Sequence, residues 1–235
     1  MANNYFQFKQ FTIYQEKCAM KVCTDACLFG ALLPKIANGN TLDIGTGTGL
    51  LSLMLAQKSP NIKIDAVEID KDAYEQALIN FAESNWNDRL SIFHNDICSY
   101  KSSYQYDFIF SNPPFYENDL KSNDDKRNLA MHTAGLKYED LLSNVKRLLD
   151  LNGSFAVLLP SSAEIKFIDK AAKFGLFATE ITRFKQSTKH SFFRSVILFL
   201  REEKQTLIKE ISIKDEQNNY TDNFKDLLRN YYLFM

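Results

Sequence analysis

The chain has only four cysteines in 235 residues, at positions 18, 23, 27 and 98. They lack the paired short spacings of a structural zinc site, and no histidine accompanies the first three, so no metal is expected. Reduced, structural thiols are the expectation, which fits a cytoplasmic protein. Neither sign of charge is in excess: Lys and Arg total 28 against 29 Asp and Glu. That balance excludes the global basic field that marks many nucleic-acid binders. The chain has no basic-then-apolar leader and no apolar run of transmembrane length, so a membrane partner is not expected either. Internal repeats and low-complexity tracts are missing too.

What remains is an ordinary globular composition, 45% hydrophobic and 24% charged, ample for a core without staples. The length suits one α/β domain with small additions. The expected organisation is an N-terminal strand and helix extension over 1–37, a core over 38–202 and a polar tail with a short helix over 203–235. A monomer is the favoured state. Nineteen Phe and eleven Tyr belong mostly to the core, and a few are candidates for stacking on bases. Two stretches carry local positive charge without any acid: Lys126 to Lys137, and "RFKQSTKHSFFR" from Arg183 to Arg194. A patch of this kind suits a partner touched on one side, and it equally suits a solvated loop.

From Thr41 onward, strand and helix patterns alternate. "TLDI", "KIDAVEI", "LSIFH", "YDFIFS" and "SFAVLLP" read as strands. Leu50 to Lys58, the segment bearing Ala73, Ala77 and Phe81, Tyr138 to Leu149, and Ser162 to Phe174 read as helices. Two strands near 176–184 and 195–201 have no helix between them and should be antiparallel. The pattern predicts a doubly wound, mostly parallel sheet, with ligands at the carboxyl ends of its strands.

"DIGTGTG", Asp43 to Gly49, joins the first core strand to the first core helix. A dinucleotide fingerprint needs glycine at position 50, which is leucine here, and a P-loop needs G-K-[ST], which is missing. The arrangement D-x-G-x-G-x-G resembles the class I S-adenosylmethionine methyltransferases. Asp43 and the loop backbone at Gly45, Thr46, Gly47 and Gly49 would then meet the methionine end. Glu68, closing the second strand beside Ile69, would accept from the ribose hydroxyls, and Asp96 from the adenine amino group, with Ile97 against the ring. The fold implied is a seven-stranded, mostly parallel Rossmann-like sheet of order 3-2-1-4-5-7-6 with its last strand antiparallel.

"SNPPF", Ser111 to Phe115, ends the fourth core strand. Two prolines fix φ and remove two donors, so pairing stops there. A rigid terminator accounts for Pro113 and Pro114 but not for Asn112 or Phe115. All four have a use if an aromatic amine is methylated. The Asn112 side-chain oxygen and the Pro113 carbonyl accept the two amino hydrogens, the prolines hold both acceptors still, and Phe115 stacks on the extruded base. The motif [DNS]-P-P-[YFW] marks amino-group methyltransferases and leaves the acceptor open among adenine N6, guanine N2 and a protein glutamine amide.

The N-terminal "FKQFTIYQEKCAMKVCTDACLFGALL" together with "LDIGTGTGLLSLMLAQ" and "FIFSNPPFYEN" resembles the bacterial methyltransferases acting on N6 of adenine 37 in valine tRNA. The resemblance covers most of residues 5–200. It implies Lys21, Thr24 and Asp25 beside the methionine end of the cofactor, and tRNA as the partner, met at its anticodon loop. Lys126, Arg127, Lys185, Lys189, His190 and Arg194 are the expected holders of the RNA backbone. That family often has Tyr where this chain has Phe115; stacking survives the change and a hydroxyl role does not.

Overall fold

The central core strands are apolar on both sides, so they need cover on both faces. The computed structural model describes residues 3–18, 20–114 and 136–235. A short hairpin, β1 (Tyr5–Gln7) and β2 (Thr12–Tyr14), precedes helix α1 (Thr24–Leu32). Then follow β3 (Gly39–Ile44), α2 (Leu50–Lys58), β4 (Ile62–Glu68), α3 (Lys71–Ala82), β5 (Leu90–His94) and β6 (Tyr106–Ser111). Beyond the undescribed stretch come α4 (Tyr138–Leu148), β7 (Leu149–Pro160), α5 (Glu164–Lys173), β8 (Phe177–Ser187), β9 (Phe192–Leu200), β10 (Leu207–Lys214) and α6 (Asp222–Leu228).

The main sheet has eight strands in the order β10-β8-β9-β7-β6-β3-β4-β5. This corrects the seven-stranded expectation. The antiparallel strand is β9, which runs against both β7 and β8, while the chain's last strand, β10, is parallel to β8. β10, "LIKEISIK", falls in the stretch 203–235 expected as a polar tail; it buries only Ile211 and Ile213, while Leu207 and Ile208 stay exposed. A charged edge strand of this kind has a weak apolar signal and resists pairing with other chains.

Two apolar layers sandwich the sheet. One joins Phe29 of α1, Met54 of α2, Phe81 of α3 and Phe224 of α6 to Phe108 and Phe110 of β6. The other joins Leu142 and Val145 of α4 and Phe167 of α5 to Ile109 of the same strand. The side-chain alternation of a strand thus serves both layers. Helices α1 and α2 lie side by side. Lys58 Nζ, at the end of α2, donates to the carbonyls of Ala31 at 2.8 Å and Leu33 at 2.6 Å, at the end of α1. The tail closes on the N-terminus: Phe8 bridges Tyr232, and Lys9 N donates to Tyr231 O at 2.8 Å.

Register decides where the functional residues meet. Ile44 of β3 pairs with Val67 of β4 and with Ser111 of β6, so the three strands end level. Ser111 Oγ donates to Ile44 O at 2.8 Å and pins the end of β6 to the end of β3.

Because Phe224 is 1% exposed and Leu228 fully buried in the layer with α1, the tail belongs to the core. Phe224→Ala should cost about 3–5 kcal/mol in urea denaturation, in one cooperative transition. A separate early transition would show the tail folding by itself.

Candidate active site

Three left-handed glycines at alternate positions turn the chain from β3 into α2. Gly45, Gly47 and Gly49 have φ of 71°, 58° and 82°, a region that side chains disfavour. Their surroundings differ. A Cβ on Gly45 or Gly47 would meet nothing within 4 Å, whereas one on Gly49 would come 2.5 Å from Phe81 Cε1. Gly49 is therefore needed for packing against α3. Gly45 and Gly47 border open space, where a ligand can approach the backbone closely.

Asp43 lies beneath this loop, fully buried. Its Oδ2 accepts from Thr46 Oγ1 and from Ser52 Oγ, both at 2.7 Å. The carboxylate thus ties the loop to the first turn of α2, and Thr46 serves the loop from within. Asp43 Oδ1 has no hydrogen-bond partner among the described residues. Burial pushes the carboxyl up to about 7, against the opposing pull of the two hydroxyls. Glu68 sits at the level end of β4. Its Oε2 accepts from Gly47 N at 2.8 Å and its Oε1 from Asp70 N at 2.9 Å. Each oxygen keeps a further lone pair for a ligand.

Next along the edge, Ile69 is 60% exposed, and its carbonyl accepts from His94 Nε2 at 3.0 Å. Asp96 is exposed, with Oδ1 accepting from Cys98 N at 2.8 Å, and Ile97 is buried beside it. At the end of β6 Pro113 is buried and Pro114 exposed. Asn112 Oδ1 is buried without a hydrogen-bond partner among the described residues. Phe115, Lys126 and Arg127 lie outside the described residues.

The N-terminal residues reach the same edge. Lys21 Nζ donates to Gln15 O at 2.8 Å. Thr24 opens α1 and Asp25 lies in its first turn, with Cys23 at the cap. Asp25 Oδ2 accepts from Arg194 Nε at 2.9 Å, so Arg194, expected on RNA, is engaged by a carboxylate. Lys185 Nζ lies 3.2 Å from Glu210 Oε2 and 4.3 Å from the Phe192 ring centre. Lys189 and His190 are exposed at the β8–β9 turn, where His190 Nδ1 is 2.7 Å from Ser187 Oγ.

Two contributors were absent from the sequence expectations. Asn80 is 1% exposed on α3. It accepts from Tyr14 N at 2.9 Å, donates to Tyr14 O at 2.9 Å, and donates to Thr48 O of the glycine loop at 2.8 Å. An asparagine on the helix face that carries Ala77 and Phe81 was the available signal. Glu164 is gripped by Arg183 (Nη2 to Oε1, 2.6 Å) and by Ser195 Oγ (2.5 Å), joining α5, β8 and β9. Only the folded sheet brings those three together.

A ligand cradle at the level strand ends, beside a stiff Asn-Pro-Pro terminus, on a sheet containing the run β5-β4-β3-β6-β7-β9-β8, defines a class I methyltransferase. Residues 18–168 match the family model described as methyltransferase small domain. The chain is 43% identical to the tRNA1(Val) (adenine(37)-N6)-methyltransferase of Flavobacterium johnsoniae over 234 residues, 98% of this chain and 100% of that one. It is 39% identical to the protein of the same description from Pseudoalteromonas translucida, over 98% of this chain and 99% of that one. Solved structures share the fold at low identity. A "predicted O-methyltransferase" of Agrobacterium tumefaciens superposes with TM-score 0.67 at 12% identity, over 88% of this chain and 96% of that one. A TehB-like SAM-dependent methyltransferase of Corynebacterium glutamicum gives 0.52 at 17%, over 78% and 90%. The chain belongs to the tRNA1(Val) (adenine(37)-N6)-methyltransferase family.

The raised Asp43 carboxyl has a testable sign. A pKa higher in the folded than in the unfolded state gives stability that is full at acid pH and is lost as pH rises from about 4 to about 7. Relative to Asp43→Asn, the unliganded wild type should lose stability across that window in urea denaturation. A pH-independent difference would show that Asp43 ionises normally.

Proposed function

We infer that this chain transfers a methyl group from S-adenosylmethionine to the exocyclic N6 amino group of adenine 37 in valine tRNA. The observation that carries the reaction class is Asn112 Oδ1: a buried carbonyl oxygen with no donor among the described residues. Leaving such a group unpaired costs about 1–3 kcal/mol, a cost that an incoming amino hydrogen offsets. Relatives of the same length and description supply the base and the RNA.

The residues present suit the cofactor. Gly45 and Gly47 leave room at the loop backbone. Glu68 and Asp96 offer acceptors for hydroxyl and amino groups, and Ile69 and Ile97 offer apolar surface for a flat ring. The buried Asp43 lies under the loop, so its part is to set loop shape and to place negative potential beneath a methionine ammonium. S-adenosylmethionine supplies a methyl group activated by its sulfonium.

The chain's own contribution is preorganisation. The adenine amine delocalises its lone pair into the ring and is a poor nucleophile while planar. Asn112 Oδ1 and the Pro113 carbonyl accept its two hydrogens and favour the pyramidal form. The prolines hold both acceptors before the reaction begins, so no reorganisation is needed during it. The methylated nitrogen carries a positive charge and loses one proton to water, so no strong base is required. Phe115 would stack on the extruded base.

We assign the RNA backbone to the β8–β9 turn, through Lys185, Lys189 and His190, with Lys126 and Arg127. The β8–β9 turn lies at the carboxyl edge, because Arg194 of β9 pairs with Pro160 at the end of β7. Phe192, between Arg183 and Lys185, adds an aromatic surface of the sort RNA-binding proteins use for bases.

Three outcomes are expected. Mass spectrometry of nucleosides from tRNA treated with the enzyme should show N6-methyladenosine; methyl on guanine N2, or in protein, would refute the acceptor. Asn112→Ala should lower kcat by about 10²–10³ with cofactor affinity nearly unchanged in calorimetry. Lys189→Glu should weaken tRNA binding and reduce the slope of log K against log salt by about 1; an unchanged slope would remove Lys189 from the interface.

A further inference from the structure

Arg194, like Arg183 and Lys185 of the same stretch, pairs with a carboxylate, but its partner lies on the N-terminal helix. Its guanidinium reaches across 169 residues of sequence to Asp25. The two side chains are 25% and 15% exposed. Arg194 Nη1 donates to Phe193 O at 3.2 Å, and the guanidinium carbon lies 5.7 Å from the Phe193 ring centre. An arginine that grips phosphate presents its fork of donors to the ligand. Here part of the fork is turned back onto the protein.

The position of Asp25 gives this pairing its meaning. Helices α1 and α2 have equal lengths, and Lys58 ties their carboxyl ends together. Their amino ends are therefore level too. Asp25, in the first turn of α1, lies at the same edge as Gly49, where α2 begins. The described residues between Gln15 and Asp25 form a strap along that edge. Gln15 Oε1 accepts from Val22 N, and Gln15 O from Lys21 Nζ, both at 2.8 Å. At the strap's start, Asn80 binds Tyr14 and the Thr48 carbonyl of the glycine loop together. At its far end stands Arg194.

We propose that Arg194 is a positioning residue that fastens the N-terminal strap beside the glycine loop, and so governs cofactor affinity rather than RNA affinity. The proposal rests on the methyl-transfer reading for the identity of the cofactor. Asn80 and Arg194 anchor the two ends of one segment, from α3 and from β9. Opening the second anchor removes the tie from β9 to the Asp25 end of the strap and leaves Lys21 and Val22 tied to Gln15 of the strap itself.

The test titrates S-adenosylmethionine alone, by calorimetry, into wild type, Arg194→Gln, Asp25→Asn and the double variant. Each single change should weaken binding by about fivefold, the scale of a partly exposed ion pair. The double variant should be no weaker than either single one, because both open the same contact. The salt slope of tRNA binding should stay at the wild-type value for Arg194→Gln. Cofactor affinity for Arg194→Gln within about twofold of wild type, additive losses in the double variant, or a slope reduced by about 1 would each overturn the proposal. Should Arg194→Gln fail to fold, Arg194→Met, which keeps the stem against Phe193, takes its place with the same readouts. A chain that follows the expected cofactor pattern yet methylates no tRNA supports the clasp and refutes the acceptor.

Discussion

Three parallel strands ending at one level are the constraint from which the site follows. Ile44 is the shared register point, paired with Val67 on one side and Ser111 on the other, and the Ser111 hydroxyl locks the second pairing. A slip of one residue in β6 would turn Phe108 and Phe110 to the wrong apolar layer. The two-sided core therefore enforces the register. The register in turn sets the glycine loop, Glu68 and Asn112 side by side, so their alignment is a by-product of burying phenylalanines.

Buried polar side chains then fix what the strands only bring near. Asp43 holds the loop to α2, Asn80 holds the hairpin to the loop, and Glu164 holds α5 to the last two antiparallel strands. Each makes several bonds to separate segments, and in a low-dielectric interior such bonds are stiff and directional. Gln57 Oε1 on α2 departs from this satisfaction among the described residues, and so do two acceptors of the site, Asp43 Oδ1 and Asn112 Oδ1. Both lie at the edge where the cofactor and the base are expected. Under the proposed reading, a ligand there would supply the donors that these two acceptors lack.

Much of this was legible before any coordinates. Alternating strand and helix patterns placed β3 to β9 within a few residues, because buried parallel strands are strongly apolar. The glycine spacing and "SNPPF" were legible since few backbones require such residues. β10 escaped because an edge strand needs polar residues and so resembles a loop. The pairing of Arg194 with Asp25 escaped because it joins residues 169 apart, and no local pattern reports a contact of that range. The separate uses of Gly45 and Gly49 were also invisible, since φ is similar at both and only Phe81 distinguishes them.

The meeting of the two chain ends bears on how the molecule is made. Phe8 pairs with Tyr232, and Tyr231 closes over Met54 with its hydroxyl donating to that residue's carbonyl at 3.2 Å. During synthesis the central sheet can assemble as its strands emerge, since neighbouring pairings are mostly near in sequence. The hairpin that precedes the strap has no such early partner in the tail. It packs early against α3, where Asn80 bonds Tyr14, and its contact with the tail, among the longest loop closures of the described residues, forms after α6. Synthesis order thus closes the amino-terminal hairpin in two stages, first onto α3 and then under the tail.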